Sequence, residues 1–338
     1  TPPTRDTLSL HDALPISHVT DPSNSAVTLL QNARTLEYDE GILSELEIPR
    51  SILPEIRSTS EIYTATDPAL FGGVEIPIAG LIGDQQGATL GQACFEKGMA
   101  KNTYGTGYFI LMNTGDEYIP PSDGIFSPVL WSIGGKADYG LEGLVDVSGA
   151  AIQWLRDGLN IIEESGEAEA LARQVADTAG VYFVPAFVGL GAPYFDSYAR
   201  GTIIGISRGT TKHHIARAAL ESMAFQVRDA FKVMERTAGI PLKKLRADGG
   251  GAKSDFMLQF QADILGIPVE RPVITETTCL GAAYSAGLAV GYWDSIEEIS
   301  KFWKIDRSFE PAISEGEREE RCFNWNRAIE RAGGWLKR

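Results

Sequence analysis

Three consecutive glycines at positions 249–251 restrict this chain more than any other feature of its sequence. The residues before them, 245–248, read as a short strand, and the stretch 254–265 after them reads as a helix. A glycine-rich turn from strand to helix exposes the amides of a helix N-terminus to an anion, or to a ribose and base. It is not a nucleotide loop of the GxxxxGK[ST] type, since that pattern does not occur here. Packing alone is a poor reason for three glycines in a row, so binding is the favoured reading of Gly250, Gly251 and the neighbouring Ser254.

Strand and helix signals alternate along the rest of the chain, which predicts an α/β fold with helices covering a sheet. Helices are expected from about residue 20 and over 38–46, before Pro49 and Pro54 interrupt the pattern. The run 76–83, IPIAGLIG, reads as a buried strand leading into helix-like GATLGQACF. Segments 99–104 and 108–112 flank Gly105-Thr106-Gly107 as a β-hairpin. Strands are expected at 181–185 and 201–206. The long segment 211–238 carries one apolar stripe, through Ile215, Ala219, Met223, Val227, Ala230 and Met234, and ends at Gly239. A strand at 269–271, a helix at 280–290, and helical, charged segments at 295–303 and 315–335 complete the reading.

Three further segments carry candidate chemistry. The glycines around Thr106 let backbone amides and a hydroxyl approach a phosphate, although the same pattern also makes an ordinary hairpin turn. Ser148-Gly149-Ala150-Ala151 opens a helix with small residues, and Gln153 projects from its first turn; close helix packing explains this equally well. Asp84 follows the strand at 76–83, where open α/β sheets bind ligands. Its carboxylate can take a proton from a hydroxyl, help to hold Mg²⁺, or simply cap a helix. Gln85 beside it offers a donor and an acceptor suited to a polyol. His213 and His214 have no acidic partner near in sequence and read as exposed polar residues.

With 45 acidic against 30 basic residues, the formal charge is −15, which argues against nucleic-acid binding. Cys94, Cys279 and Cys322 have neither disulfide-framework nor zinc spacing. Three such cysteines fit a reducing compartment, and no apolar run approaches the ~20 residues of a membrane span. A cytoplasmic protein without membrane insertion is expected. Residues 1–17 show no useful periodicity, and LSLHDALPI at 8–16 back-translates to a common sequencing-adapter string. They are set aside as foreign to the fold.

Taken together, the segments from about residue 18 onward resemble the FGGY carbohydrate kinase family, and its glycerol-specific branch most. The resemblance rests on HVTD at 18–21, IAGLIGDQQGATLGQACFEKGMAKNTYGTGYFILMNTG at 78–115, GAAIQWLRDGL at 149–159 and FVPAFVGLGAPYFDSYARGTIIGISRGTT at 183–211. LQFQADILGIPVERP at 258–272 and ETTCLGAAYSAGLAVGYW at 276–293 extend it. It implies actin-like ATPase (ribonuclease H-like) lobes, with 18–95 ending an N-terminal lobe that is only partly present and 96–338 forming an essentially complete nucleotide-binding lobe. ATP with Mg²⁺ is the implied cofactor, and glycerol and ATP/ADP are the implied partners. By resemblance Asp84 is the general base and contacts glycerol, Gln85 also binds glycerol, and Phe109 packs on it. Thr106 matches a phosphate contact, and Gly149, Gln153 and Gly250 match nucleotide contacts; Gly105, Gly251 and Ser254 stand beside them.

Three positions depart from the family pattern: Ser254 stands where Asn is usual, Phe195 where Trp is usual, and Tyr108 where a small residue or Cys is usual. GGGAKS also resembles the xylulose and gluconate kinases of the family, so those acceptors remain open, as does a nucleotide-binding lobe without catalysis. The family's first phosphate loop, its Arg–Glu pair and a substrate Tyr do not occur in the chain; the resemblance assigns them upstream of residue 18. Little turnover is therefore expected from these residues alone. Homo-oligomers are common in the family, but no interface is readable in the sequence.

Overall fold

The computed structural model describes residues 17–145, 147 and 149–337. Ser148 and all but the last residue of the set-aside N-terminal stretch lie outside them. The chain is ordered around the elements β1 (Ser60–Ala65), β2 (Pro77–Gly80), α1 (Asp84–Gly91), β3 (Met99–Tyr104), β4 (Tyr108–Gly115), β5 (Val129–Ile133) and β6 (Lys136–Val145). There follow α2 (Gly149–Asp157), α3 (Glu167–Ala172), β7 (Tyr182–Val184), β8 (Thr202–Ile204), α4 (Lys212–Ala238) and β9 (Lys244–Asp248). The last elements are α5 (Asp255–Leu265), β10 (Val269–Pro272), α6 (Thr277–Ala289), β11 (Ile305–Phe309) and α7 (Glu315–Ala332).

Seven strands form one mixed sheet in the order β11-β10-β9-β3-β4-β6-β5. β9 runs parallel to β3 and β10, and the hairpin β3–β4 lies at the centre. Period-two alternation sends neighbouring side chains to opposite faces. On β4, Ile110 and Met112 join the core under α4, while Leu111 joins a second core with Leu90 of α1 and Tyr284 of α6. Helices therefore cover both faces, which explains why the strand reads as an unbroken apolar run.

The long helix forms as expected, one residue shorter, from Lys212 to the left-handed Gly239. Its start is a reciprocal cap: His214 Nδ1 accepts from the Thr211 amide at 3.1 Å, so this histidine closes the helix end. The short N-terminal helices are capped by Asp21 and Asp39.

Two expectations need correction. The strand expected at 76–83 covers only Pro77–Gly80 and is not buried: Ile76 and Ile78 are 44% and 41% exposed. Only its C-terminal end is packed, where Ala79 is buried on one face and Gly80 meets α6 on the other. Gly80 lies against α6 so tightly that a Cβ would stand 2.4 Å from Ser285 Oγ, and β1 is its one partner among the described strands. Second, β1, β5, β6, α3 and β11 were not anticipated. The β5–β6 turn is Gly134-Gly135, both with positive φ, a dipeptide that signals a tight hairpin.

Helices α1 and α6 touch backbone to backbone. A Cβ on Gly281 would lie 1.9 Å from the Gly87 carbonyl oxygen, and one on Gly91 would lie 2.0 Å from that of Thr277. This contact fixes where α1, and Asp84 at its first position, sits over the sheet.

Candidate active site: two faces of one hairpin

The β3–β4 hairpin separates two groups of candidate residues. One group gathers at its tip. A cavity of about 490 Å³ is lined by Gly105, Thr106, Gly149, Gln153, Gly250, Gly251 and Ser254, so the structure brings together all seven residues expected on the nucleotide side. Its floor is apolar, from Ile152 of α2 and Leu220 and Met223 of α4. Glycine backbone and the side chains of Thr106, Gln153, Glu169 and Lys253 share the polar part of the wall. The first turn of α2 rests on the hairpin tip through the Ala150 amide, which donates to the Thr106 carbonyl at 3.3 Å. A Cβ on Gly149 would stand 2.3 Å from the Gly105 carbonyl oxygen.

The three glycines after β9 have different reasons to be glycine. Gly249 has φ +80°, and a Cβ there would meet the Tyr104 backbone at 2.7 Å. At Gly251 a Cβ would lie 2.9 Å from that of Tyr104. Gly250 alone has nothing within 4 Å where its side chain would be, and it lines the cavity. Packing thus accounts for two of the three glycines, and open space for the third.

Ser254 lines the cavity but has little left to offer a ligand. Its hydroxyl accepts from the Met257 amide at 3.1 Å as the cap of α5 and donates to Glu169 Oε2 at 2.5 Å. Glu169, on the unanticipated α3, also accepts from Arg173 Nε at 2.8 Å. The sequence reading missed it because a six-residue segment rich in Glu and Ala has no periodicity to distinguish it from a solvated turn of helix.

The second group lies on the opposite face of the hairpin, under α1 and α6. Asp84 occupies the first position of α1, with Gly83 as the cap residue, so its carboxylate is not spent on capping. It is exposed, accepts from the Gln85 amide at 2.7 Å and lies 3.3 Å from Gln85 Nε2. Directly beneath is Lys101 on β3, a lysine with no exposed surface. Its ammonium donates to Gln85 Oε1, to Thr103 Oγ1 at 3.1 Å and to the Phe109 carbonyl at 3.3 Å. Phe109, opposite Thr103 in the ladder, keeps 38% of its surface exposed beside this group. The register sets Lys101, Leu111 and Glu142 in one row across β3, β4 and β6.

Burial dominates the electrostatics here. It holds the Lys101 ammonium below the ordinary lysine range, against the pull of Asp248, Glu142 and Asp84. It raises the Glu142 carboxyl, which Lys101 partly offsets. Asp248, at the end of β9, accepts from Gln92 Nε2 at 2.8 Å and Thr277 Oγ1 at 2.6 Å through one oxygen, while its other oxygen is buried without a hydrogen-bond partner. Among the described residues no three His, Cys, Asp or Glu side chains cluster as a metal cage.

Chemically, the arrangement pairs an exposed carboxylate and an amide, held on a buried cation, with a glycine-walled cavity around the strand end. The mixed sheet with helices on both faces is the ribonuclease H-like fold of the actin-like ATPases. Models of the FGGY family of carbohydrate kinases match the chain twice, with the C-terminal domain at residues 100–290 and the N-terminal domain at 7–91. The latter match begins inside the stretch set aside as foreign. A glycerol kinase of Caldanaerobacter subterraneus is 56% identical over 320 residues, 95% of this chain and 64% of the relative. Glycerol kinase 2 of Thermotoga maritima is 56% identical over 321 residues, with the same shares. The crystal structure of Plasmodium falciparum glycerol kinase with ADP superposes with a TM-score of 0.88 at 37% identity, over 93% of this chain and 63% of that one. The chain belongs to the FGGY family of carbohydrate kinases. It spans about 64% of the length of the curated relatives it matches.

Proposed function

We propose that the protein transfers the γ-phosphoryl group of ATP to a terminal hydroxyl of glycerol. One observation carries the reading: a single hairpin supports Gln85, beside Asp84 on α1, through Lys101 on one face and closes a glycine-walled cavity of about 490 Å³ at its tip. In this reading ATP lies in the cavity, with Gly105, Gly149, Gly250 and Gly251 allowing close approach, Thr106 donating to a phosphate oxygen and Gln153 reaching the nucleotide. Glycerol lies against Phe109. Asp84 takes the proton of the attacking hydroxyl, and Gln85 holds the polyol. Exclusion of water from the cleft prevents its competition as acceptor.

Mg²⁺ fits as a companion of the nucleotide, since it keeps most of its waters and needs only one or two carboxylates besides phosphate oxygens. When bound it neutralises phosphate charge. We assign residues 18–95 to the N-terminal lobe and 96–338 to the nucleotide-binding lobe. A cytoplasmic location follows from ATP as co-substrate and accords with three unpaired cysteines. Among the described residues no helix is long and apolar enough to cross a membrane. Self-association, expected from the family, is read from the mass of the full-length protein in solution.

The test is ADP release by the full-length protein with glycerol, xylulose and gluconate as acceptors. Asp84→Asn should lower glycerol turnover by about 100- to 10,000-fold, the usual worth of a positioned base, while ADP affinity stays unchanged. A variant with the parent turnover would refute the role given to Asp84. For the 338-residue chain alone we expect little or no turnover.

A further inference from the structure

Lysine is among the residue types least often buried completely, and it stays charged in an interior only where its three donors are met. Lys101 meets that condition: its acceptors are Gln85 Oε1, Thr103 Oγ1 and the Phe109 carbonyl. An ammonium group has no acceptor. The atom of the Gln85 amide that faces it must therefore be the oxygen, and the amide nitrogen must point the other way. The nitrogen indeed points to Asp84 Oδ2 at 3.3 Å, at the exposed rim. Both other acceptors belong to the hairpin itself, so the lysine stays at one height on the sheet whatever Gln85 does.

We infer that Lys101 is a positioning residue that fixes Gln85 with its amide nitrogen outward, so that the site offers the acceptor alcohol a donor from Gln85 and a proton acceptor from Asp84. An alcohol oxygen both accepts and donates, and the pair matches both functions. With the amide reversed, two oxygens would face the same hydroxyl, and only one could be satisfied. This rests on the proposed role of Asp84 and Gln85 toward a polyol. It adds a residue that touches no substrate, and a reason for its burial beyond stability.

The test is a double-mutant cycle in the full-length protein, read as the KM and kcat for glycerol, with ADP affinity as the check on folding. Lys101→Met keeps the length and removes the donors. It should raise the glycerol KM about 3- to 10-fold, the usual worth of the one neutral hydrogen bond that glycerol loses, with kcat changing less than about twofold. In a Gln85→Ala background the same substitution should change KM less than about twofold, because the group it orients is gone. An equal loss in both backgrounds, or none in either, overturns the inference.

If Lys101→Met does not fold, Gln85→Glu decides the matter. It leaves the lysine an acceptor but replaces the outward nitrogen by oxygen, so the glycerol KM should rise as in Gln85→Ala; a parental KM overturns the inference. If the parent protein turns over xylulose or gluconate in place of glycerol, the glycerol assignment fails. The cycle, run on that acceptor, still tests Lys101.

Discussion

The two faces of the β3–β4 hairpin are built by opposite means. At the tip, the cavity is shaped by side chains that are missing: Gly149, Gly249 and Gly251 let three backbone segments approach one another, and Gly250 leaves space. Under α1 and α6, the site is built from side chains that are supported: Asp84 on a helix start, Gln85 on Lys101, and Lys101 on the strand pair. A nucleotide phosphate is well met by close-packed amides, which carry no rotamer entropy. A small polyol has few atoms, and its recognition depends on directed donors and acceptors. The difference teaches that substitutions should fail for different reasons on the two faces, by steric expulsion at the tip and by lost orientation beneath.

Among substitutions that act through packing, the largest expected effect is at the tip. Gly149→Val would drive a branched side chain into the Gly105 carbonyl, where even a Cβ would stand at 2.3 Å. ADP affinity should fall by about 100-fold or more, about 2.8 kcal/mol, measured by titration calorimetry. A smaller loss would mean that α2 can retreat from the hairpin without opening the cavity. Next in size is Gly281→Ala, on the supported face. Its methyl would meet the Gly87 carbonyl and push α1 off α6, so the denaturation midpoint should fall by the equivalent of about 1–3 kcal/mol. Glycerol turnover should suffer more than ADP affinity; an equal loss of both would blur the contrast between the faces.

The smallest effect is expected from Ser254→Ala, which removes the cap of α5 and the bond to Glu169. It should cost about 1 kcal/mol of stability. Since the hydroxyl is already committed on both sides, ADP affinity should change less than about twofold, a shift of under about 0.4 kcal/mol. A strong loss of affinity would show that the Ser254 hydroxyl contacts the nucleotide directly.

The sequence disclosed the tip well and the supported face only in part. Glycines flanking Thr106, and a strand running into Gly249, are local signals whose meaning does not depend on the rest of the fold. Asp84 and Gln85 were also legible, at a strand-to-helix corner. Lys101 was not, because a lysine in a strand ordinarily marks a solvated face. Its burial depends on α1 and α6, which are brought over that face by distant segments. One signal was available: the apolar run at 108–112 marks its partner strand as covered on both sides, which puts Lys101 indoors. The exposed Ile76 and Ile78 show the reverse error, where an apolar run suggested cover along a whole strand that is packed only at its far end, at Ala79 and Gly80. Ser254 shows a third limit. Its position was legible, but the use of its hydroxyl depends on Glu169, 85 residues away in the chain.

The contact of α1 with α6 has a mechanical consequence. Two-lobed proteins close by bending at a few loop residues or by sliding helices whose side chains mesh. Where the carbonyls of Gly87 and Thr277 abut Gly281 and Gly91, there is no layer of side chains to slide on. The contact joins a helix of the first assigned lobe to one of the second, and it holds Asp84 beside Thr277 and the Asp248 that Thr277 bonds. A closure that slid one helix along the other would drive carbonyl oxygens into α-carbons, so the carboxylate keeps its station over the central strands.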